Sequence, residues 1–263
     1  MIILTYLGTG SAFCEKNYQT NAIIETSSGY KLLVDCGGDI RFSLAEQGLS
    51  YKDIDGVYIS HLHADHIGGL EYLAFSTYFD PSYKGKPDLY ISEFLIDDLW
   101  NRSLSGGLGS LQNKRATLDT YFCTHPVEKN GSFQAGIVSS TEFKLIQMIH
   151  FVNGFTFELS FGLMFSSGKE TVFLTTDTQY APKQIQDFYN EATVIFHDTE
   201  TSLFPSGIHA HFDELTKLDE KTRNKMYLVH FQDGVITEPD SWDALVKEHG
   251  FHGFVHKGDS FKF

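Results

Sequence analysis

The chain has no apolar run approaching the ~20 residues needed to cross a bilayer as a helix, so no membrane partner is expected. Its start, MIILTYLGTGSAF, is apolar but lacks a basic leader and is broken by glycines. It reads as a first strand, not a signal peptide. Basic residues are scarce. Twenty Lys and Arg face 34 Asp and Glu, a net charge of −14 with His neutral. Nucleic-acid phosphates want a basic face, so no stable nucleic-acid partner is expected. The three cysteines, Cys14, Cys36 and Cys123, are an odd number at no metal-like spacing. They read as reduced, mostly buried thiols of a cytoplasmic protein. No P-loop or G-x-G-x-x-G fingerprint is present, which leaves Rossmann-type or kinase-type nucleotide binding unsupported. No internal repeat or low-complexity tract interrupts the 263 residues.

What remains is a composition ordinary for a globular chain, 41% hydrophobic and 21% charged, with no clear domain boundary. We read it as one α/β domain over residues 1–263. Strand patterns fall at 22–26, 30–38, 53–60, 88–92, 142–151, 155–161, 163–168, 171–177, 192–198 and 225–231. Helical patterns fall at 40–49, 66–79, 93–100, 182–190, 211–219 and 241–250, and residues 251–256 close the chain. Residues 101–135 are the least regular. The ligand-type residues Asp35, His61, His63, Asp177, Asp198 and His230 lie where strands end, the place where α/β scaffolds build sites.

One stretch stands out: SHLHADHIGG, residues 60–69. His61, His63, Asp65 and His66 form H-x-H-x-D-H. In extended backbone, positions 61 and 63 share a side and can grip one ion. Asp65 and His66 begin the next turn and can face a second. Imidazole and carboxylate suit Zn²⁺, and also Mn²⁺ or Fe²⁺. Two ions need about seven or eight protein ligands, so donors must come from elsewhere. His150, Asp177 and His230 each end an apolar strand and are the candidates. One aspartate can bridge ions ~3.5–4 Å apart, as in two-metal hydrolytic sites.

HLHADH (61–66), with LGTGSA (7–12), VDCGG (34–38), HIGGL (66–70) and TTDT (175–178), resembles the metallo-β-lactamase fold in its ribonuclease Z-like branch. That resemblance implies an αββα sandwich with a dinuclear site at one edge. It implies that His61, His63 and His150 hold the first metal, that Asp65, His66 and His230 hold the second, and that Asp177 bridges. Residues 35–75 are most similar to the anti-Pycsar proteins, small phage and bacterial phosphodiesterases that destroy cyclic nucleotide messengers. The chain departs from true ribonuclease Z in lacking a long basic Gly/Pro-rich insertion and in reading His197-Asp198-Thr199-Glu200 after a strand. GIHAHFDEL (207–215) resembles the family's histidine loop, and its spacing to Leu215 favours His209 over His211 as the general acid.

The resemblance therefore implies a dinuclear Zn²⁺ (or Mn²⁺) phosphodiesterase. It would open 3′,5′-cyclic nucleotides (cyclic CMP and UMP, with cyclic AMP and GMP) to 5′-monophosphates, evading cyclic-nucleotide antiviral immunity. Asp65 would orient the attacking water as well as ligate, His209 would supply the leaving-group proton, and Asp198 would orient His209 or a neighbouring ligand. A homodimer is implied, in the host cytoplasm for a phage protein. The rivals are a tRNA 3′-processing endonuclease, another esterase of the same fold, and a metal-stabilised binding module. Tyr121, Phe122 and His125 are candidates to reach over the site. His249, His252 and His256 read as structural or exposed, and Gly8, Gly10, Gly37, Gly68 and Gly69 as residues that let backbone approach the metal loops.

Overall fold

The computed structural model describes residues 1–136 and 141–263. Among the described residues sixteen strands run in chain order. β1 (Ile3–Gly8), β2 (Asn21–Glu25), β3 (Lys31–Val34), β4 (Gly56–Ile59) and β5 (Asp88–Ser92) come first. β6 (Ser110–Leu111) and β7 (Lys114–Arg115) pair with each other as a separate two-stranded sheet. Then follow β8 (Cys123–Val127), β9 (Ser132–Gln134), β10 (Glu142–Val152), β11 (Phe157–Ser167), β12 (Glu170–Leu174), β13 (Val194–Asp198), β14 (Met226–Val229), β15 (Gly253–Phe254) and β16 (Ser260–Lys262). One seven-stranded sheet has the order β16-β1-β2-β3-β4-β5-β8, and the other β15-β14-β13-β12-β11-β10-β9.

The period of two along each strand sends neighbouring apolar residues to different cores. Tyr58 and Tyr90 face the layer between the sheets. Val57, Ile59, Leu89 and Ile91 face outward, onto helices carrying Ile40, Leu44, Leu70 and Leu73. In the second sheet Val172, Leu174 and Phe196 point inward. Phe173 and Ile195 point outward, onto Ile185, Tyr189 and Val246 of helices Pro182–Glu191 and Pro239–Glu248. Strands apolar on both faces demand cover on both, and the result is the expected αββα sandwich. The sheets are also pinned between the end of β4 and the middle of β11. The Tyr58 hydroxyl donates to the Phe161 carbonyl at 2.6 Å, and the Phe161 amide donates to the Ser60 carbonyl at 3.0 Å.

Several expected elements differ. The patterns at 155–161 and 163–168 are one strand, β11, because Gly162 pairs in register with Ile146 instead of turning. A Cβ at Gly162 would lie 2.8 Å from the Leu174 carbonyl oxygen, so glycine there serves close packing. The helix expected at 66–79 is split by Gly68 and Gly69 into Ala64–Ile67 and Leu70–Phe79. Residues 211–219 contain only the single turn Phe212–Leu215. The chain does not close at 251–256, since β16 returns to pair with β1. Tyr121 and Phe122 do not reach over the site: each is 1% exposed and packed in the outer core of the first sheet. Of the cysteines only Cys36 is buried; Cys14 is half-buried and Cys123 exposed, and all three are free thiols.

The glycines around the centre bring backbones together. A Cβ on Gly37 would lie 2.3 Å from the Asp65 carbonyl oxygen and 2.6 Å from Gln19 Oε1. The two loops interlock there, the Cys36 amide donating to the His66 carbonyl at 2.7 Å and the Gly69 amide to the Cys36 carbonyl at 2.8 Å. Gly37→Ala should therefore cost about 1–3 kcal/mol, as overpacking does, and displace the 61–66 loop. Thermal unfolding together with metal content checks this; wild-type values for both would show that the close approach is slack.

Candidate metal centre

The centre lies beyond the C-terminal ends of β3, β4, β12, β13 and β14, parallel neighbours within each sheet. Each strand delivers a polar residue just past its last apolar one. β4 runs into Ser60 and His61, β14 into His230, and β12 through Thr175 and Thr176 to Asp177. Three of these strand ends carry left-handed backbone at non-glycine residues: Asp35 (φ 61°), Thr176 (φ 53°) and His230 (φ 64°). This uncommon conformation re-aims the chain sharply, and Asp and His tolerate it better than most. β10 contributes His150, next to the irregularity in its register with β11 between Ile149 and Phe151.

Two groups of donors result. Ligand atoms of His61, His63, His150 and Asp177 all lie within 4.8 Å of one another, and so do those of Asp65, His66, Asp177 and His230. Asp177 belongs to both, and to a third group with Asp198, His209 and His230. Its Oδ2 is 3.5 Å from His61 Nε2, 3.3 Å from His66 Nε2 and 3.7 Å from His150 Nε2, and its Oδ1 is 3.6 Å from His230 Nε2. Asp65 Oδ2 sits 3.2 Å from His66 Nε2 and 3.3 Å from His230 Nε2. Every residue of the two groups except His63 is buried. All seven residues expected from the sequence thus converge.

The electrostatics of the two groups differ. In the first, burial holds the His61 ring well below the ordinary imidazole range, lowers His63, and takes His150 down to about 4. These rings are neutral near pH 7, the state in which imidazole offers a lone pair. In the second, burial would also lower His66 and His230. The carboxylates of Asp177, Asp65 and Asp35 around His66, and of Asp177, Asp198 and Asp65 around His230, prevail and push both well up. Asp177 and Asp65, despite burial, are held well below the usual carboxylate range by the adjacent imidazoles. The second group is thus an acidic nest that draws positive charge, whether protons or a cation.

Whether a divalent ion fits is answered by orphaned atoms. His61 Nε2, His66 Nε2 and Asp177 Oδ2 are buried without a hydrogen-bond partner. They converge on the same space, where an unsatisfied buried polar atom would otherwise cost ~1–3 kcal/mol. An imidazole–carboxylate set of this kind suits Zn²⁺ or Mn²⁺. The residues present fit such ions.

Supporting contacts fix the ligands. Asp35 accepts from the Ser60 amide and hydroxyl, both at 2.8 Å, and faces His66 Nδ1 at 2.8 Å. This leaves His66 Nε2 to point at the centre, the usual device for orienting a histidine ligand. The sequence marked Asp35 as a strand-end carboxylate, yet its partner role was illegible. The VDCGG motif offers only proximity in the chain, and Ser60 and His66 reach Asp35 only through the pairing of β3 with β4. Asp198, fully buried, accepts from the Thr178 amide at 2.9 Å and holds His209 Nδ1 at 2.8 Å, with His230 Nδ1 at 3.2 Å.

The two loop histidines separate clearly. His211 caps the turn Phe212–Leu215: its Nδ1 accepts from the Asp213 amide at 3.2 Å and its Nε2 faces the Ser202 carbonyl at 2.9 Å. Both its nitrogens are engaged. His209 is partly exposed and packs beside His150 and His230, at 5.1 and 4.8 Å between ring centroids. Its Nδ1 lies 3.9 Å from Asp177 Oδ2. Burial would lower its basicity, but the Asp198 carboxylate raises it above the ordinary imidazole value. His125 lies elsewhere, at the opposite end of the first sheet against Asp88. His252 stacks on Tyr227 at 4.7 Å. Among the described residues no helix is long and apolar enough to cross a membrane.

Comparison with known proteins agrees with this architecture. A metallo-β-lactamase fold protein from Bacillus subtilis superposes with a TM-score of 0.70 at 18% identity, over 99% of this chain and 98% of that one. Among curated proteins, the anti-Pycsar protein Apyc1 of Bacillus phage vB_BveM-Goe7 is 35% identical over 238 residues, 88% of this chain and 90% of that protein. The protein of the same description from Paenibacillus harenae is 34% identical, over 87% of this chain and 89% of its own length. The family model of anti-Pycsar protein Apyc1 matches residues 2–261. The fold is that of the metallo-β-lactamases, and the chain belongs to the anti-Pycsar protein Apyc1 family.

Proposed function

We propose that this chain is a dinuclear, divalent-metal phosphodiesterase that hydrolyses 3′,5′-cyclic nucleotides to 5′-monophosphates. Cyclic CMP and UMP are its substrates, with cyclic AMP and GMP, and their destruction counteracts antiviral signalling in the host cytoplasm. The observation that carries this reading is Asp177, one carboxylate shared by two four-residue donor groups, beside a histidine whose ring is held by a buried aspartate. Membership of the anti-Pycsar family supports the substrate class.

In this reading His61, His63 and His150 would hold one ion and Asp65, His66 and His230 the other, with Asp177 common to both groups. Ions so held would acidify water from a pKa of 15.7 toward ~7 and screen the charge of the phosphate. The chain's own groups do the rest. Asp65 orients the attacking water toward phosphorus as the P–O3′ bond breaks. The departing 3′ oxygen is strongly basic and takes a proton from His209 Nε2. Asp198 keeps that ring charged and aimed through Nδ1. Phe151, whose ring stacks on His63 at 5.9 Å, with the exposed Phe155 between β10 and β11, Phe157 at the start of β11 and Phe204 on the loop bearing His209, supply apolar surface for a base. A homodimer would enclose the substrate further. The net charge of −14 weighs against a tRNA, whose backbone asks for a basic exosite.

The test is turnover of cyclic CMP, cyclic UMP, cyclic AMP and a pre-tRNA, each with and without chelator. We expect 5′-monophosphates from the cyclic nucleotides, abolished by chelator and restored by Zn²⁺ or Mn²⁺. Cleavage of the pre-tRNA alone would overturn the substrate assignment, and chelator-resistant turnover would overturn the metal's role.

A further inference from the structure

A second set of donors lies at the other end of the sandwich, unconnected with the centre. β5 and β8 are parallel neighbours, with Asp88 opposite Cys123 and Tyr90 opposite His125. In that register Asp88, Cys123 and His125 share one face of the sheet. Their ligand atoms all lie within 4.8 Å of one another. Asp88 and Cys123 open their strands, whereas the centre lies past the strand ends. The four residue steps of β5 alone separate the two by about 13 Å, so no ion is shared.

We infer that Asp88, Cys123 and His125 form a separate mononuclear site for a thiophilic divalent cation, of the Zn²⁺ or Co²⁺ class. A thiolate, an imidazole and a carboxylate are a borderline-to-soft set that prefers these ions to Mg²⁺ or Ca²⁺. The site has the supports a metal site needs. Asp88 Oδ1 faces His125 Nε2 at 2.7 Å, while the Tyr30 hydroxyl donates to Asp88 Oδ2 at 2.7 Å and fixes the carboxylate. The His125 ring is clamped against Tyr90, centroids 4.8 Å apart and 17° between planes, and Tyr90 against Phe133 at 4.2 Å. Cys123 is exposed, which gives an ion access. A cavity of about 520 Å³ opens beside Asp88, Tyr90 and His125, room for a small ligand on that side of an ion.

Cobalt substitution tests this independently of the phosphodiesterase. The donor set of the centre contains no sulfur, so thiolate-to-cobalt charge-transfer absorption reports a cysteine site alone. With Co²⁺ added to the full-length protein, we expect that absorption in the wild type and in Asp177→Asn. It should vanish in Cys123→Ser, whose exposed position keeps the fold intact, as a thermal melt would verify. Tyr30→Phe, which frees the carboxylate, should weaken the apparent cobalt dissociation constant by about 10–100-fold. Absence of the band at saturating Co²⁺, or its survival in Cys123→Ser, would overturn the site and leave Asp88, Cys123 and His125 a hydrogen-bonded cluster only.

Discussion

Asp177→Asn is expected to abolish turnover of cyclic nucleotides, by ~10⁴-fold or more, and to lower bound metal to half or less of the wild-type content. The magnitude follows from what the carboxylate joins. Four imidazoles lie within 3.7 Å of its two oxygens. An asparagine keeps the shape but offers one donor oxygen and no charge. The gap in water pKa that bound ions close, from 15.7 to ~7, spans many orders of magnitude in available nucleophile. A stability cost should accompany the loss. In the metal-free protein Asp177 faces His66 and His230, both held protonated. Removing a buried counter-charge costs about 3–5 kcal/mol. Elemental analysis, steady-state kinetics and a thermal melt check the three parts. Wild-type metal content with turnover within tenfold of normal would remove Asp177 from the centre.

His209→Ala should give the opposite pattern: full metal content with turnover reduced ~10²–10⁴-fold, the usual contribution of a positioned acid. That is roughly 3–5 kcal/mol of barrier. His209 is not among the residues assigned to either proposed ion: its ring packs beside His150 and His230, and its Nδ1 lies 3.9 Å from Asp177. A phosphodiester with a nitrophenolate leaving group separates proton donation from mere positioning. Such a leaving group departs without a proton, so the defect of His209→Ala should shrink on it toward the wild-type rate. An equal loss on both substrates would assign His209 to binding. Unimpaired turnover of cyclic nucleotide would move the proton to solvent, because both nitrogens of His211 are already engaged.

Much of the centre was legible along the chain. H-x-H-x-D-H compresses four donors into six positions, and neither packing nor capping calls for such a run, so its chemistry shows without any fold. Asp177 and His230 were legible as polar residues following apolar strands, since strand ends are where parallel sheets present side chains; His150 was read the same way but sits within the antiparallel β10, at its register irregularity. Their grouping came from family resemblance, and the coordinates brought together the same two sets. The longer strands were visible because alternate residues serve different cores, whereas β6, β7, β8 and β9 lie in the stretch 101–135 that the sequence left irregular.

Local pattern failed wherever the deciding contact was distant. Gly162 looks like a break, yet the neighbouring strand β12 shows why a side chain is excluded there. The short β16 carries almost no signal of its own and exists because β1 offers an unpaired edge. Tyr121, Phe122 and Cys123 are consecutive, but two are buried and one is exposed. Asp35, Ser60 and His66 form one hydrogen-bonded unit only after β3 and β4 pair. The identity of the donors is a property of residue type and spacing, which a linear string records. Their orientation, their protonation and the separate Asp88–Cys123–His125 cluster depend on which strands become neighbours, and only burial and long-range pairing decide that.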